Sequence, residues 1–196
     1  VESDVDIDKL DFIIPIIQVN NTRKALAQVA CSFYDYPAKK LKLIGITGTN
    51  GKTTSAYLLW QILNKLNIKC GYIGTIGFYI EDKISNLNNT TPDMLDIYSM
   101  INECIDNNCK YVVMEVSSQG LSMGRVDSLI FDYVIFSNLT QDHLDYHKTI
   151  ENYIMEKQKL FKLTNNSFAI INSDDKYYKN FMFDNKNITY GKNSND

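Results

Sequence analysis

The chain has 196 residues, room for one domain and part of another, and its 44% hydrophobic and 22% charged residues are the balance of an ordinary globular protein. A net charge of −3 gives no basic field for nucleic acid or an anionic membrane, so a bound polyanion needs a local site. No apolar run approaches the roughly 20 residues that cross a bilayer, and no signal peptide is visible.

Taken in order, residues 1–12 are acidic, Phe12–Val19 reads as a short apolar strand, and Thr22 is placed to cap a helix with the face Ala25, Leu26, Val29 and Ala30. Tyr36-Pro37 ends it. One strand and one helix bury no core, so residues 1–40 are expected to be the tail and linker of a preceding domain, in an excised chain that opens on Val1. From Leu41 strands and helices alternate. An apolar run through Thr47 enters the turn Gly48-Thr49-Asn50-Gly51, and Lys52-Thr53-Thr54 opens a helix with the stripe Leu59, Ile62, Leu63 and Leu66. Cys70–Ile80 reads as one strand, 81–89 as a polar loop, and Thr91-Pro92-Asp93 as the start of a helix carrying Leu95, Tyr98, Ile101 and Ile105. Further strands are expected at 110–116, 131–136, 167–171 and 187–190, with a helix from Ile150 to about Leu163 capped by Thr149, and a short one near 174–181. Continuous apolar strands alternating with helices predict an α/β fold, a mostly parallel sheet covered on both faces.

The strand–loop–helix at 41–54 reads either as an ordinary glycine-rich turn with an exposed lysine or, as its Gly-Lys-Thr in this context favours, as a phosphate loop. Gly48 and Gly51 let backbone N–H groups curl around phosphate oxygens, the helix N-terminus adds its dipole, Lys52 reaches the β- and γ-phosphates, and the Thr53 hydroxyl faces Mg²⁺. Ile46 stands where the generic pattern has its first glycine, leaving the tighter G-x-x-G-K-T-T. In a parallel sheet ligands sit at the carboxyl ends of strands. Glu115 ends one strand there, open to reading as a Mg²⁺ ligand or a solvated strand-end acid. The strand ending at Phe136 delivers Asn138–His147, with both histidines of the chain. His143 and His147 lack a third soft ligand for zinc, so His143 is read toward a hard cation or triphosphate, and His147 is left unassigned.

Lys157 lies on the apolar face of its helix, four residues from both Tyr153 and Phe161. It reads either as a snorkelling lysine, its ammonium in water, or as a partly buried one whose lowered pKa frees a neutral amine. Thr90-Thr91 reads as a helix cap or as an anion site, and Arg125, after a flexible 121–124 segment, as a partner for a carboxylate or phosphate. Cys31, Cys70, Cys104 and Cys109 have no metal-finger spacing and read as buried thiols of a reducing cytoplasm.

Four stretches, Gly48-Thr49-Asn50-Gly51-Lys52-Thr53-Thr54, Thr90-Thr91-Pro92-Asp93, Met114-Glu115-Val116-Ser117-Ser118 and Asn138–His147, resemble in order and spacing the Mur ligases, the ATP-dependent amide-bond-forming enzymes of peptidoglycan synthesis. The likeness covers about residues 12–191. It is strongest to the branch that adds the third residue to UDP-N-acetylmuramoyl-L-alanyl-D-glutamate. The related folylpolyglutamate synthetases usually follow their metal glutamate with a glycine-rich stretch, where this chain has Val116-Ser117-Ser118. The resemblance implies that residues 41–196 are the central ATP-binding domain, without a C-terminal domain, and that Gly48–Thr54 bind ATP. It implies two Mg²⁺ ions held by Thr53, Glu115, His143 and Lys157, the last as a carbamate, and catalytic roles for Lys52, Glu115, His143 and Lys157. Thr90, Thr91, Ser117 and Arg125 would contact the UDP-muramyl-dipeptide. Gln119 stands where many relatives have histidine.

The implied chemistry is attack of the substrate's glutamyl carboxylate on the γ-phosphate, then capture of the acyl-phosphate by the amine of diaminopimelate or lysine. A monomer without nucleic-acid or membrane partners is expected, and the 196 residues alone are expected to bind nucleotide weakly if at all and to form no amide bond. A nucleotide-binding regulatory module and a simple phosphotransferase are the competing classes.

Overall fold

The computed structural model describes residues 16–184 and 186–192. Most of the expected Phe12–Val19 strand lies outside them, and Val19 at its described end forms an isolated bridge. Eight strands form one sheet: β1 (Lys42–Thr47), β2 (Cys70–Gly74), β3 (Gly77–Tyr79), β4 (Lys83–Ser85), β5 (Tyr111–Glu115), β6 (Phe131–Phe136), β7 (Thr164–Asn172) and β8 (Lys186–Tyr190), in the order β4-β3-β2-β5-β1-β6-β7-β8. All neighbours are parallel except the β2-β3-β4 edge, which is antiparallel. The expected single strand at 70–80 is therefore two strands around a Thr75-Ile76 turn, and the expected polar loop after it holds β4. With only one intervening turn, the chain pairs back on itself instead of extending.

β1 sits between β5 and β6, with Ile46 level with Glu115 and Ile135. The loop after β1 thus opens between the ends of two strands that each deliver polar residues, as a parallel sheet does at its carboxyl edge.

Among the described residues there are six α-helices, α1 (Thr22–Phe33) ahead of the first strand and α2 (Lys52–Lys65), α3 (Met94–Asp106), α4 (Ser118–Ser122), α5 (Leu144–His147) and α6 (Ile150–Lys162) between strands. α2 packs on one face, where Ala56 and Trp60 meet Ile44, Ile46, Tyr72 and Val113. Its exposed Ile62 and Leu66 depart from the expected stripe, because the bulk of Trp60 sets the buried meridian. The larger core lies on the other face under α1, α3 and α6. There Ala27 and Ala30 of α1 are buried while Leu26 and Val29 face outward, since close approach to α3 favours the small residues. The cap of α1 is Asn21, whose side chain accepts from Lys24 N, one residue before the expected Thr22. Thr149 caps α6 as expected, accepting from Asn152 N at 3.2 Å.

A phosphate loop with a buried carboxylate and a buried lysine

Between β1 and α2 the backbone makes two left-handed steps, at Gly48 (φ 152°) and Gly51 (φ 83°). A Cβ on Gly48 would collide with the Ser137 hydroxyl, so the glycine is required by close approach as well as by φ. The first-turn N–H groups of α2 have no acceptor within the helix, which leaves a positive cradle at Gly51–Thr54. The N–H groups of Thr49 and Asn50 are used differently. Thr49 N donates to Asn138 O at 2.8 Å and Asn50 N to Asn138 Oδ1 at 2.9 Å, while Ser137 Oγ donates to Asn50 O at 2.7 Å. The Thr49 hydroxyl accepts from Thr140 N at 3.0 Å. Thr49 and Asn50 thus tie the loop to the segment after β6.

Lys52 curls over the loop and donates to Gly48 O (2.9 Å) and Thr49 O (3.0 Å). Burial lowers its pKa, opposed by the charges of Glu115 and Asp142.

Glu115 is fully buried. Its Oε2 accepts from the Thr53 hydroxyl at 2.7 Å and the Thr75 hydroxyl at 3.2 Å, and its Oε1 from Tyr72 Oη at 2.5 Å and Thr75 N at 2.9 Å. A solvated strand-end acid is excluded. Tyr72 and Thr75 were not singled out by the sequence, since a tyrosine in an apolar strand carries no local sign of a partner 43 residues away.

Lys157 is 1% exposed, which excludes the snorkelling reading. Its ammonium donates to Gly48 O at 2.8 Å and lies 4.5 Å from the centre of the Tyr153 ring. Burial, and after it the neighbouring charge of Lys52, hold its pKa well below the ordinary lysine value. Two lysines therefore converge on one carbonyl at the mouth of the phosphate loop.

His143 has a left-handed backbone (φ 53°), precedes α5, and points its Nε2 toward Asp142 Oδ2 at 3.7 Å. Among the described residues, no hydrogen bond or ion pair joins it to Glu115 or Lys157. Among the described residues no group of three or more His, Cys, Asp or Glu side chains is placed to hold a metal by itself. The donors that do converge, the Thr53 hydroxyl and the Glu115 carboxylate, are hard oxygens, which fits Mg²⁺ completed by phosphate oxygens and water.

On the far side of Glu115 lie the expected acceptor residues. Thr90 Oγ1 is 3.0 Å from Thr75 Oγ1. Thr91 is not the helix cap: α3 begins at Met94, and the buried Thr91 hydroxyl accepts from Ser117 N at 2.9 Å and contacts Glu115 O and Ser117 Oγ at 3.0 Å each. It fastens the end of β5 to the start of α3. Ser117 caps α4 by accepting from Gly120 N, so the expected flexible segment is partly a helix turn. Arg125 donates to Thr91 O at 2.8 Å and pairs with Asp93 at 2.9 Å. With Arg23, Leu26, Met94 and Met123 it lines a cavity of about 360 Å³. The unassigned His147 is buried, with Nε2 2.9 Å from Ser118 Oγ, and burial lowers its pKa.

Asp175 is a further residue the sequence did not single out. Its two oxygens accept from Leu139 N (2.7 Å) and Tyr177 N (2.8 Å), while Asn172 Nδ2 donates to Ser137 O at 2.7 Å. The acidic pair Asp174-Asp175 after an apolar strand was the available signal.

A parallel sheet with a glycine loop, a lysine and a threonine at its switch point defines a nucleotide-binding α/β domain. The family model described as the Mur ligase middle domain matches residues 46–196, and the chain belongs to the Mur ligase family. It is 48% identical over 178 residues to the UDP-N-acetylmuramoyl-L-alanyl-D-glutamate–2,6-diaminopimelate ligase 1 of Clostridium acetobutylicum, covering 90% of this chain and 36% of that protein. Among solved structures, a UDP-N-acetylmuramoyl-L-alanyl-D-glutamate–2,6-diaminopimelate ligase superposes with a TM-score of 0.76 at 27% identity, over 91% of this chain and 38% of the other. The MurF ligase of Thermotoga maritima in complex with ADP shares the fold, at a TM-score of 0.63 and 18% identity, over 95% of this chain and 40% of the other. The chain thus spans little more than a third of the relatives it matches.

Proposed function

We propose that the protein carrying this domain is an ATP-dependent acid–amino-acid ligase that extends UDP-MurNAc-L-Ala-D-Glu by one amino acid through an acyl-phosphate. The relatives' names favour 2,6-diaminopimelate over lysine as that amino acid. The observation that carries the reading is the 2.7 Å contact between Thr53 and a fully buried Glu115 at the phosphate loop. A carboxylate taken out of water beside a phosphate cradle is costly unless it works with a cation. In this reading residues 1–40 are the end of a UDP-binding domain and 41–196 the ATP-binding domain of a cytoplasmic enzyme, consistent with the free Cys31, Cys70, Cys104 and Cys109.

The chain's own groups have definite tasks. The cradle at Gly51–Thr54 and Lys52 bind the β- and γ-phosphates, and Lys52 offsets charge as the bond to ADP breaks. Thr53, Glu115, His143 and Lys157 as its carbamate would hold two Mg²⁺ ions, which screen the repulsion between the γ-phosphate and the attacking carboxylate. The depressed pKa of Lys157 suits its amine to take up CO₂ with loss of a proton, turning a buried cation into a ligand. Thr90, Thr91, Ser117 and Arg125 orient the UDP-muramyl-dipeptide.

The deciding assay follows ATP hydrolysis and the mass of the product in the full-length protein. Phosphate release only with UDP-MurNAc-L-Ala-D-Glu, and a new amide with 2,6-diaminopimelate, is the expected result. Hydrolysis indifferent to the muramyl peptide would favour the phosphotransferase, and no hydrolysis would favour the regulatory module.

A further inference from the structure

The two oxygens of Glu115 are held by groups of different kinds. Oε1 accepts from Tyr72 Oη at 2.5 Å and from the backbone N–H of Thr75, both fixed by the sheet edge. Oε2 accepts, among the described residues, from the hydroxyls of Thr53 and Thr75, whose protons rotate away at small cost. Tyr72 itself cannot move aside. Its ring is fully buried against Tyr57 and Tyr79, at centroid separations of 5.7 and 5.8 Å, in a group completed by Trp60. A Cβ on Gly74 would collide with both the Glu115 carboxylate and the Tyr72 hydroxyl, so the strand is bare where the two meet.

We infer that Tyr72 is a positioning residue for the cation site: it anchors Glu115 Oε1 so that Oε2, beside the Thr53 hydroxyl, is the oxygen presented to the divalent ion. The inference rests on the reading of Glu115 as a magnesium ligand. A carboxylate with one oxygen pinned loses its choice of rotamer and of binding mode, and preorganisation of that kind lowers the cost of binding. Burial and the Glu115 charge both raise the pKa of Tyr72, which keeps its hydroxyl a donor at neutral pH.

The test uses the full-length protein, MnATP and the enhancement of water-proton relaxation when that complex is immobilised on it, with metal-free ATP binding in EDTA as the second readout. Tyr72→Phe keeps the ring and is expected to weaken MnATP about tenfold while leaving metal-free ATP within twofold. Gly74→Ala, whose Cβ would meet the Glu115 carboxylate and both the hydroxyl and the ring edge of Tyr72, disturbs the same contact from the strand side; it is expected to act in the same direction and keeps the inference testable should Tyr72→Phe fold poorly. Glu115→Gln is expected to abolish the enhancement. MnATP binding within twofold of the parent in Tyr72→Phe and Gly74→Ala, with Glu115→Gln defective, overturns the role of Tyr72 alone. Equal losses of MnATP and metal-free ATP make Tyr72 a packing residue and overturn it as well. Indistinguishable binding by the parent and Glu115→Gln, or none by either, removes the magnesium reading and Tyr72 with it.

Discussion

Lys157 carries its ammonium into a site that is 1% exposed, with the Gly48 carbonyl and the Tyr153 ring for company and Lys52 as a like charge nearby. A buried cation so placed opposes folding. Lys157→Met, similar in volume and neutral, is expected to leave stability unchanged or raise it by about 1 kcal/mol in thermal unfolding. The same change is expected to cut ligase turnover of the full-length enzyme sharply, as is Lys157→Ala, which bicarbonate or a short carboxylic acid should partly restore. Unchanged turnover would remove the carbamate. The pH dependence has a definite sign. The folded pKa lies below the unfolded lysine value, so between the two the unfolded chain binds the extra proton and stability rises with pH. Loss of that rise in Lys157→Met, measured by urea unfolding between neutral and alkaline pH, checks the assignment.

At the scale of elements, the phosphate loop is shaped by its neighbours more than by its own turn. Asn138 and Ser137 hold Thr49 and Asn50, and Asp175 and Asn172 hold Leu139 and Ser137 from the end of β7. Three consecutive strand ends, those of β1, β6 and β7, are thereby linked edge to edge. Asp175→Ala strands the N–H groups of Leu139 and Tyr177 and is expected to cost about 1–3 kcal/mol. Faster amide exchange at Leu139, Thr49 and Asn50 would show the loosening passing to the phosphate loop, and exchange confined to Tyr177 would show that it does not. The loop was legible from Gly48, Gly51, Lys52 and Thr53, because a tight turn into a helix demands those residue types locally. The clamp was not, because Asp175 and Leu139 are 36 residues apart and the acidic pair Asp174-Asp175 does not by itself name the groups it holds.

Across the whole molecule, α1 is part of the larger core. Ala27 and Ala30 are buried with Ile97, Tyr98 and Ile101 of α3. A chain beginning at Leu41 would open that face, and its melting temperature is expected to fall by several degrees, at about 2–4 °C per kcal/mol for a chain this size. No change on truncation would make residues 16–40 an independent appendage. The other face is less complete: α2 covers β1, β2 and β5, while Tyr133, Ile135, Phe168 and Ile170 beyond them are half-buried.

The sequence by itself determined what depends on neighbours along the chain. Strand–helix alternation, the phosphate loop, the ends of β5 and β6, and the apolar face of α6 with Lys157 on it all follow from periodicity and turn chemistry. Only the tertiary structure decided which groups meet. It buried Lys157 against a carbonyl 109 residues away and turned Thr91 from a helix cap into a tie to β5. It also set Tyr72 on Glu115. Period and propensity are properties of a segment, whereas burial and hydrogen-bond partnership are fixed by sheet order, which places β5 between β2 and β1 although all three are distant in the chain.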